Sequence, residues 1–181
     1  MTTQDLKIEE HNGVRFCFFW KGWISNWALT PFVPVDDSFM YVCVEQYMMA
    51  KKAEYFEDAE TLKKILMSTQ PSEHKRLGRL VKGYDEEVWD AVRETVVLTA
   101  SLYKYRQHPN LCDALLRTGD AELAEANPHD KLWGIGMAAN DPERFDRSQW
   151  GENLLGKVLM RARRELRLDR EHDSLARMSR T

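Results

Sequence analysis

Several devices common in nucleotide- and metal-dependent enzymes are absent from this 181-residue chain. There is no glycine-rich phosphate loop of the P-loop or dinucleotide kind, and Gly134-Ile135-Gly136-Met137 has too few glycines to make one. The five histidines show neither HExxH nor any other ligand spacing, and no GxSxG nucleophile elbow occurs. What is left open is chemistry without a cofactor, a metal or a serine nucleophile. Cys17, Cys43 and Cys112 are scattered, odd in number and without a CxxC pair; they support neither a disulfide framework nor a zinc site and fit reduced, apolar thiols. No apolar run approaches a membrane span, and MTTQDLKIEEHNG carries acids where a secretory signal needs an apolar core. A soluble, cytoplasmic protein with no membrane partner is therefore expected. The net charge of −3 argues against a protein that coats nucleic acid non-specifically, yet allows a small basic pocket.

With 43% hydrophobic and 30% charged residues, the makeup is that of a globular protein whose length suits one domain with a real core. Arg15–Trp20 (RFCFFW), between Asn12-Gly13 and Gly22, reads as a short strand. The apolar run Phe39–Val44 reads as a second strand pairing with it, although pattern alone does not separate this from the buried start of a helix. Val44–Ala53 opens a helix, with no Gly or Pro between Glu45 and Tyr55. Asp58 suits the N-cap of the next, with Leu62, Ile65 and Leu66 inward, and Pro71 begins a third that carries Leu77, Leu80 and Val81 and stops at Gly83. Asp85 caps the longest, with a stripe of Val88, Val92, Val96, Thr99 and Leu102; Pro109 begins a short one that carries Leu111, Leu115 and Leu116 and ends at Gly119. Asp120–Gln149 has little periodicity, and long irregular stretches are often functional. A last helix, Glu152 to about Leu166, carries Leu154, Leu155, Val158, Leu159 and Ala162. The expected fold is mainly α in the α+β class: one compact domain over residues 1–181, of about seven helices with a few short N-terminal strands. Its core spans about 15–166, with 1–13 and 168–181 as peripheral tails, the last a solvated extension or a frayed end.

Four groups of residues offer chemistry. Glu45 and Lys52 lie seven apart, two turns along one helical face and about 10 Å along the axis, so an acid and a base look the same way. Such a pair is more often two solvated charges. Glu125, Asp130, Trp133 and Gly134 fall within the irregular stretch, where they can floor a pocket or simply cap a turn and fill the core. Asn153 and Lys157 stand one turn apart on the side away from the leucine stripe, a substrate contact or a solvent face. Arg79, after Gly78 near a helix end, suits either the helix dipole or a phosphate.

The order of these pieces resembles the NADAR family. The resemblance is carried by Ser25-Asn26, Tyr41 to Glu45 leading to Lys52, Leu77-Gly78-Arg79, Trp89, Lys104-Tyr105, Leu115 to Gly119, Glu125, Asp130, Trp133-Gly134 and Gly151 to Gly156. It runs from about Arg15 to Leu166. The family includes N-glycosidases of early riboflavin-pathway intermediates and hydrolases that remove ADP-ribose from guanine. The resemblance implies a mainly helical fold, a pocket lined by those residues, and metal-free cleavage of the bond between ribose C1 and a base nitrogen. Three positions depart from the family pattern: Cys43 stands where Ser or Thr is usual, Trp27 where Phe is common, and Ile135 where some members carry an acid after Trp-Gly.

Breaking that bond places positive charge on the ribose and negative charge on the leaving base. In the reading that follows, Glu45 or Glu125 stabilises the sugar or activates water, and Asp130 orients the ribose hydroxyls. Lys52 either attacks C1 and forms a Schiff base or stays protonated to hold a phosphate or donate a proton. Asn26 and Gly134 line the substrate, Trp89 and Trp133 stack a base, and Arg79, Asn153 and Lys157 bind its polar parts. The expected partner is an ADP-ribose or ribosyl-phosphate substrate, with ADP-ribosylated DNA or RNA as the larger form. A short N-terminal extension with no deaminase or reductase partner domain tilts the expectation toward ADP-ribose removal over riboflavin intermediates. A non-catalytic ADP-ribose binding module and a helical interaction protein are the rival classes.

Overall fold

The strand expected from RFCFFW forms at Val14–Phe19 in the computed structural model, which describes residues 6–35 and 37–179. Phe16, Cys17 and Phe19 are all in the core, so both faces of this strand are covered. Glu9–His11 (β1) pairs with it antiparallel, with Glu9 opposite Phe16, across the turn at Asn12-Gly13, where both residues adopt positive φ. Val14–Phe19 is β2. Its other neighbour is Glu122–Glu125 (β3), which runs parallel to it with Phe16 opposite Glu122 and Phe19 opposite Glu125.

The expected second strand at Phe39–Val44 does not form. Tyr41 makes an isolated bridge to Phe32, and the run then ends at Cys43, whose extended backbone and thiol cap the following helix through a bond from Gln46 N at 3.4 Å. The run is an approach to that helix buried at Tyr41, Cys43 and Val44, and the Gln46 amide oxygen takes the Val42 N–H that a sheet partner would have taken. Conversely, β3 forms inside the stretch expected to be irregular: Glu-Leu-Ala-Glu lacks β-branched and aromatic residues, and its place beside β2 supplies what its propensity does not.

Among the described residues, six α-helices follow the sequence pattern. They are α1 (Val44–Tyr55), α2 (Ala59–Met67), α3 (Pro71–Gly78), α4 (Glu86–Gln107), α5 (Pro109–Arg117) and α6 (Leu154–Met178), with 3-10 turns at Pro142–Phe145 and Arg147–Gln149. Asp58 caps α2 through Thr61 N as expected, and its second oxygen accepts Lys82 N. Helix α3 ends at Gly78, short of the expected stop at Gly83, so Leu80 lies exposed on the turn that follows. The buried face of α4 is Trp89, Val97, Leu98, Ala100, Ser101, Lys104 and Tyr105, one position round from the expected stripe, whose Val88 is exposed. Helix α6 begins at Leu154 and runs past Leu166 to Met178. Its leucine stripe is buried throughout, and the predicted tail is a solvated helical extension as far as it is described. Residues 1–5 and 180–181 of the expected tails lie outside the described residues.

The chain falls into two compact units. One comprises the chain up to Trp20 together with the chain from His108 onward; the other is Lys21–Gln107. In the second, α1 packs on α2, α3 and α4 and is the central helix. In the first, α6 packs on β3 and α5. The α5–α6 side is fastened by Arg163, a buried guanidinium that donates to Thr118 Oγ1 at 2.7 Å and to the Ala121 carbonyl at 2.9 Å.

Candidate active site

Glu45 sits in the first turn of α1 and is only 4% exposed, so it is not a solvated surface charge. Its backbone N–H donates to the Asn26 carbonyl at 3.0 Å, which ties the helix start to the Gly22–Ala28 turn. Asn26 is buried in that turn, braced by Ser25 Oγ accepting Trp27 N at 3.2 Å. Beneath the turn lies Lys104, a fully buried ammonium that donates to the Trp23 carbonyl at 2.6 Å and the Ser25 carbonyl at 3.2 Å. Burial pushes the Lys104 amine down to about 7. Lys104 lies on the inner face of α4, seven residues after the buried Val97.

Lys52 stands two turns beyond Glu45 on the same uninterrupted helix, half-buried. Its pKa is lowered by burial. Its Nζ lies 3.7 Å from the centroid of the Tyr84 ring, a cation–π contact that the sequence spacing did not suggest. The neighbouring Lys51 is engaged elsewhere, paired with Glu54 at 2.7 Å.

Cys43, the departure from Ser or Thr, faces a buried histidine: its Sγ is 3.7 Å from His74 Nδ1. His74 Nε2 lies 2.9 Å from the Ser68 carbonyl, which requires the proton on Nε2 and leaves Nδ1 as acceptor. Burial holds this histidine neutral by lowering its pKa and raises the Cys43 thiol to about 11. The pair is therefore a neutral thiol and a neutral imidazole, suited to capping α1 and not to nucleophilic attack. Arg79 is the exposed C-cap of α3. Trp89 is 5% exposed and packs as core of its unit, which leaves little of its ring to meet a ligand. Trp27 is 43% exposed, with Lys75 Nζ 5.9 Å from its ring centroid.

In the other unit, Glu125 ends β3 and is buried. Its backbone is engaged on three sides: the carbonyl accepts Asn127 N and Ile135 N, and the N–H donates to Asn153 Oδ1 at 3.1 Å. Asn153, expected on a solvent-facing side of the last helix, is instead the buried residue before α6. Its left-handed backbone (φ 51°) turns the side chain back onto β3, where Nδ2 donates to the Leu123 carbonyl at 2.9 Å. Lys157 is exposed one turn later, so the two do not share an environment. Asp130 caps a turn: its Oδ1 accepts Leu132 N at 3.0 Å and Trp133 N at 2.8 Å. Trp133 is half-buried. Gly134 is there because a side chain does not fit: a Cβ would stand 2.7 Å from the Glu125 carbonyl oxygen and 2.9 Å from that of Asp130. Ile135 is fully buried with Ala124 and Ala126, an apolar place in which an acid would be costly.

Among the described residues, no three His, Cys, Asp or Glu side chains stand close enough together to hold a metal ion, and the three cysteines are free and buried. No described helix is long and apolar enough to cross a membrane.

A small mixed sheet, a central α1 with a buried acid and a half-buried lysine, and a hydrogen-bonded loop before the last helix define an α+β protein of one family. The NADAR domain model matches residues 18–167, and the chain belongs to the NADAR family. It is 42% identical over 126 residues to an N-glycosidase of Acanthamoeba polyphaga mimivirus, an alignment covering 69% of this chain and 74% of that one. It is 31% identical over 163 residues to the chloroplastic riboflavin biosynthesis protein PYRR of Zea mays, covering 82% of this chain and 25% of the maize protein. The solution structure of the E. coli protein YbiA matches with a TM-score of 0.69 at 28% identity, over 86% of each chain.

Proposed function

We propose that this chain hydrolyses the bond between ribose C1 and a base nitrogen, and that its substrate is ADP-ribose attached to guanine. Hydrolysis of an N-glycosidic bond is the activity its named relative carries. The observation that bears most weight is on α1, where a buried carboxylate, Glu45, and a partly desolvated amine, Lys52, occupy one regular helix. A buried acid suits the cationic ribose that develops as the bond breaks, and burial makes a lysine amine easier to deprotonate.

In the covalent version, the neutral Lys52 amine attacks C1 and the bonding pair leaves with the base, which takes up a proton. The attacking nitrogen gives up a proton, the ribose ring opens to a Schiff base, and water then releases the sugar and returns the amine. Glu45 supplies the carboxylate near the sugar. Asn26 and Arg79, in the same unit as Glu45 and Lys52, bind polar parts of the substrate. The diphosphate-containing substrate is favoured by the surface beside Asn26. The exposed Trp27 ring has Lys75 against it, and Arg79 follows one turn later on α3, an aromatic face and two cations that suit a base and adjoining phosphates.

The similarity to the maize riboflavin protein favours a second reading, in which the substrate is a ribosylaminopyrimidine phosphate. Both are tested together by incubating the protein with ADP-ribosylated guanosine, free or in an oligonucleotide, and with the ribosylaminopyrimidine phosphate, and following loss of the sugar by mass spectrometry. Release from guanine is expected. Turnover of the pyrimidine alone would move the assignment to the second reading, and turnover of neither would remove both. Borohydride added during turnover traps a protein–sugar adduct at Lys52 if the amine attacks. Lys52→Ala is expected to keep ADP-ribose binding and lose at least about a thousandfold in turnover.

A further inference from the structure

Lys52 ends against an aromatic ring held in place from both sides. Tyr84 lies on the turn between α3 and α4. Two residues earlier, Lys82 N donates to Asp58 Oδ2 at 2.9 Å, and one residue later Asp85 Oδ1 accepts Val88 N at 3.0 Å. Phe56 meets the Tyr84 ring edge to face at 5.5 Å, and Tyr55 meets Phe56 at 5.6 Å, so the ring is backed by aromatics while it stays 43% exposed. The Lys52 ammonium is 3.7 Å from the Tyr84 centroid, within the range at which a ring quadrupole binds a cation.

Two opposite effects therefore act on one amine. Burial disfavours its charge, whereas the ring face favours it. The charged groups around the pair are largely engaged with one another. On α1, Lys51 pairs with Glu54; from α2, Asp58 accepts main-chain N–H groups and Glu60 pairs with Lys64 and Lys82. From α4 and the turn before it, Asp85, Glu86, Asp90 and Arg93 lie about Tyr84, with Arg93 paired to Asp90.

We propose that Tyr84 is a positioning residue for Lys52: its ring face fixes the amine in the resting protein as an ammonium and sets the pH at which that amine is released for reaction. The last clause rests on Lys52 being the reacting group; the rest stands without it. An amine held this way is kept from straying to solvent, and it leaves the ring on losing its proton, because a neutral amine gains little from the quadrupole.

The test is a titration of the Lys52 side chain in the full-length protein by carbon-13 NMR, assigned with Lys52→Arg. Tyr84→Leu is expected to lower the Lys52 pKa by about one pH unit, while Tyr84→Phe, which keeps the ring, leaves it within a few tenths. No change in Tyr84→Leu overturns the proposal, as does a rise, which would mean that the ring acts only by excluding water. The pH dependence of kcat/KM is the second measurement. Its rising limb is expected to move to lower pH in Tyr84→Leu, by the shift seen in the titration, and to stay put in Tyr84→Phe. A titration that shifts beside a limb that does not would uphold the contact and overturn Lys52 as nucleophile, so the two failures are distinct.

Discussion

On α1, Glu45 and Lys52 project from a regular helix whose backbone bonds are satisfied within the helix or by Asn26 and Cys43. In the stretch from β3 to α6 the opposite holds: Asp130 and Asn153 use their side chains to bind main-chain groups, and Gly134 is present so that two carbonyls can approach. A helix hands its side chains over to chemistry, because its own hydrogen bonds close without them. A loop without a ladder must recruit polar side chains to satisfy its backbone. Substitutions in the two regions should therefore separate, with stability lost in one and turnover lost with little destabilisation in the other.

Asn153→Ala gives the largest expected loss of stability. It removes the acceptor for Glu125 N and the donor to the Leu123 carbonyl, both buried, and it places a Cβ-bearing residue without a compensating amide at positive φ. The cost is about 3 kcal/mol, or a melting temperature lower by roughly 6–12 °C. Asn153→Gly tolerates the backbone and should recover about 1 kcal/mol of this. A variant that melts like the parent but has lost turnover would show that the amide acts on substrate and would break the contrast.

Asp130→Ala comes next, at about 1–2 kcal/mol, for two half-buried acceptor bonds to Leu132 N and Trp133 N. Asp130→Asn keeps the Oδ1 acceptor and should restore most of the stability. If Asp130→Asn is as inactive as Asp130→Ala while melting normally, the carboxylate charge serves the ribose as well as the turn, a result that differential scanning calorimetry and kinetics on the same samples can separate.

How far these roles could be read beforehand follows the same division. Helical periodicity located α1, α2, α5 and α6 and put Glu45 and Lys52 on one helix, because the i, i+7 relation survives any detail of packing. The α4 stripe lies one position round from the expected one, because Trp89 and Lys104 are inner residues. In β3 the Glu-Leu-Ala-Glu segment gains its partner only from β2, more than a hundred residues earlier, and nothing local announces that pairing. Asn153 looked solvent-facing because a regular helix was extended back through it; its left-handed backbone points the amide to β3 instead. Tyr84 and His74 reach their partners from turns and neighbouring helices, at separations that no periodic reading covers.

A smaller effect concerns the buried Lys104. Its folded pKa, about 7, lies below the ordinary lysine value, so between the two the unfolded chain binds more protons and stability rises with pH. From pH 7 to 8 the gain is on the order of 1 kcal/mol, in a window above the ordinary histidine value and below that of cysteine. The parent should therefore melt a few degrees higher at pH 8 than at pH 7, and Lys104→Met, which has no proton to lose, should not. An identical slope in both would mean that the ammonium is not desolvated as its two carbonyl contacts and burial imply.

Glu45→Gln is the most nearly isosteric of these changes, since the amide has the same shape and the Glu45 N–H to Asn26 bond is main-chain. Turnover should nevertheless fall at least about a hundredfold if this carboxylate faces the developing ribose cation. Glu125→Gln provides the control, because Glu125 is equally buried but its backbone is fixed by Asn153 and Ile135. A hundredfold loss confined to Glu125→Gln would transfer the sugar-facing role to the loop region. It would also show that a side chain on a backbone-bound loop can be as available to a substrate as one on an open helix.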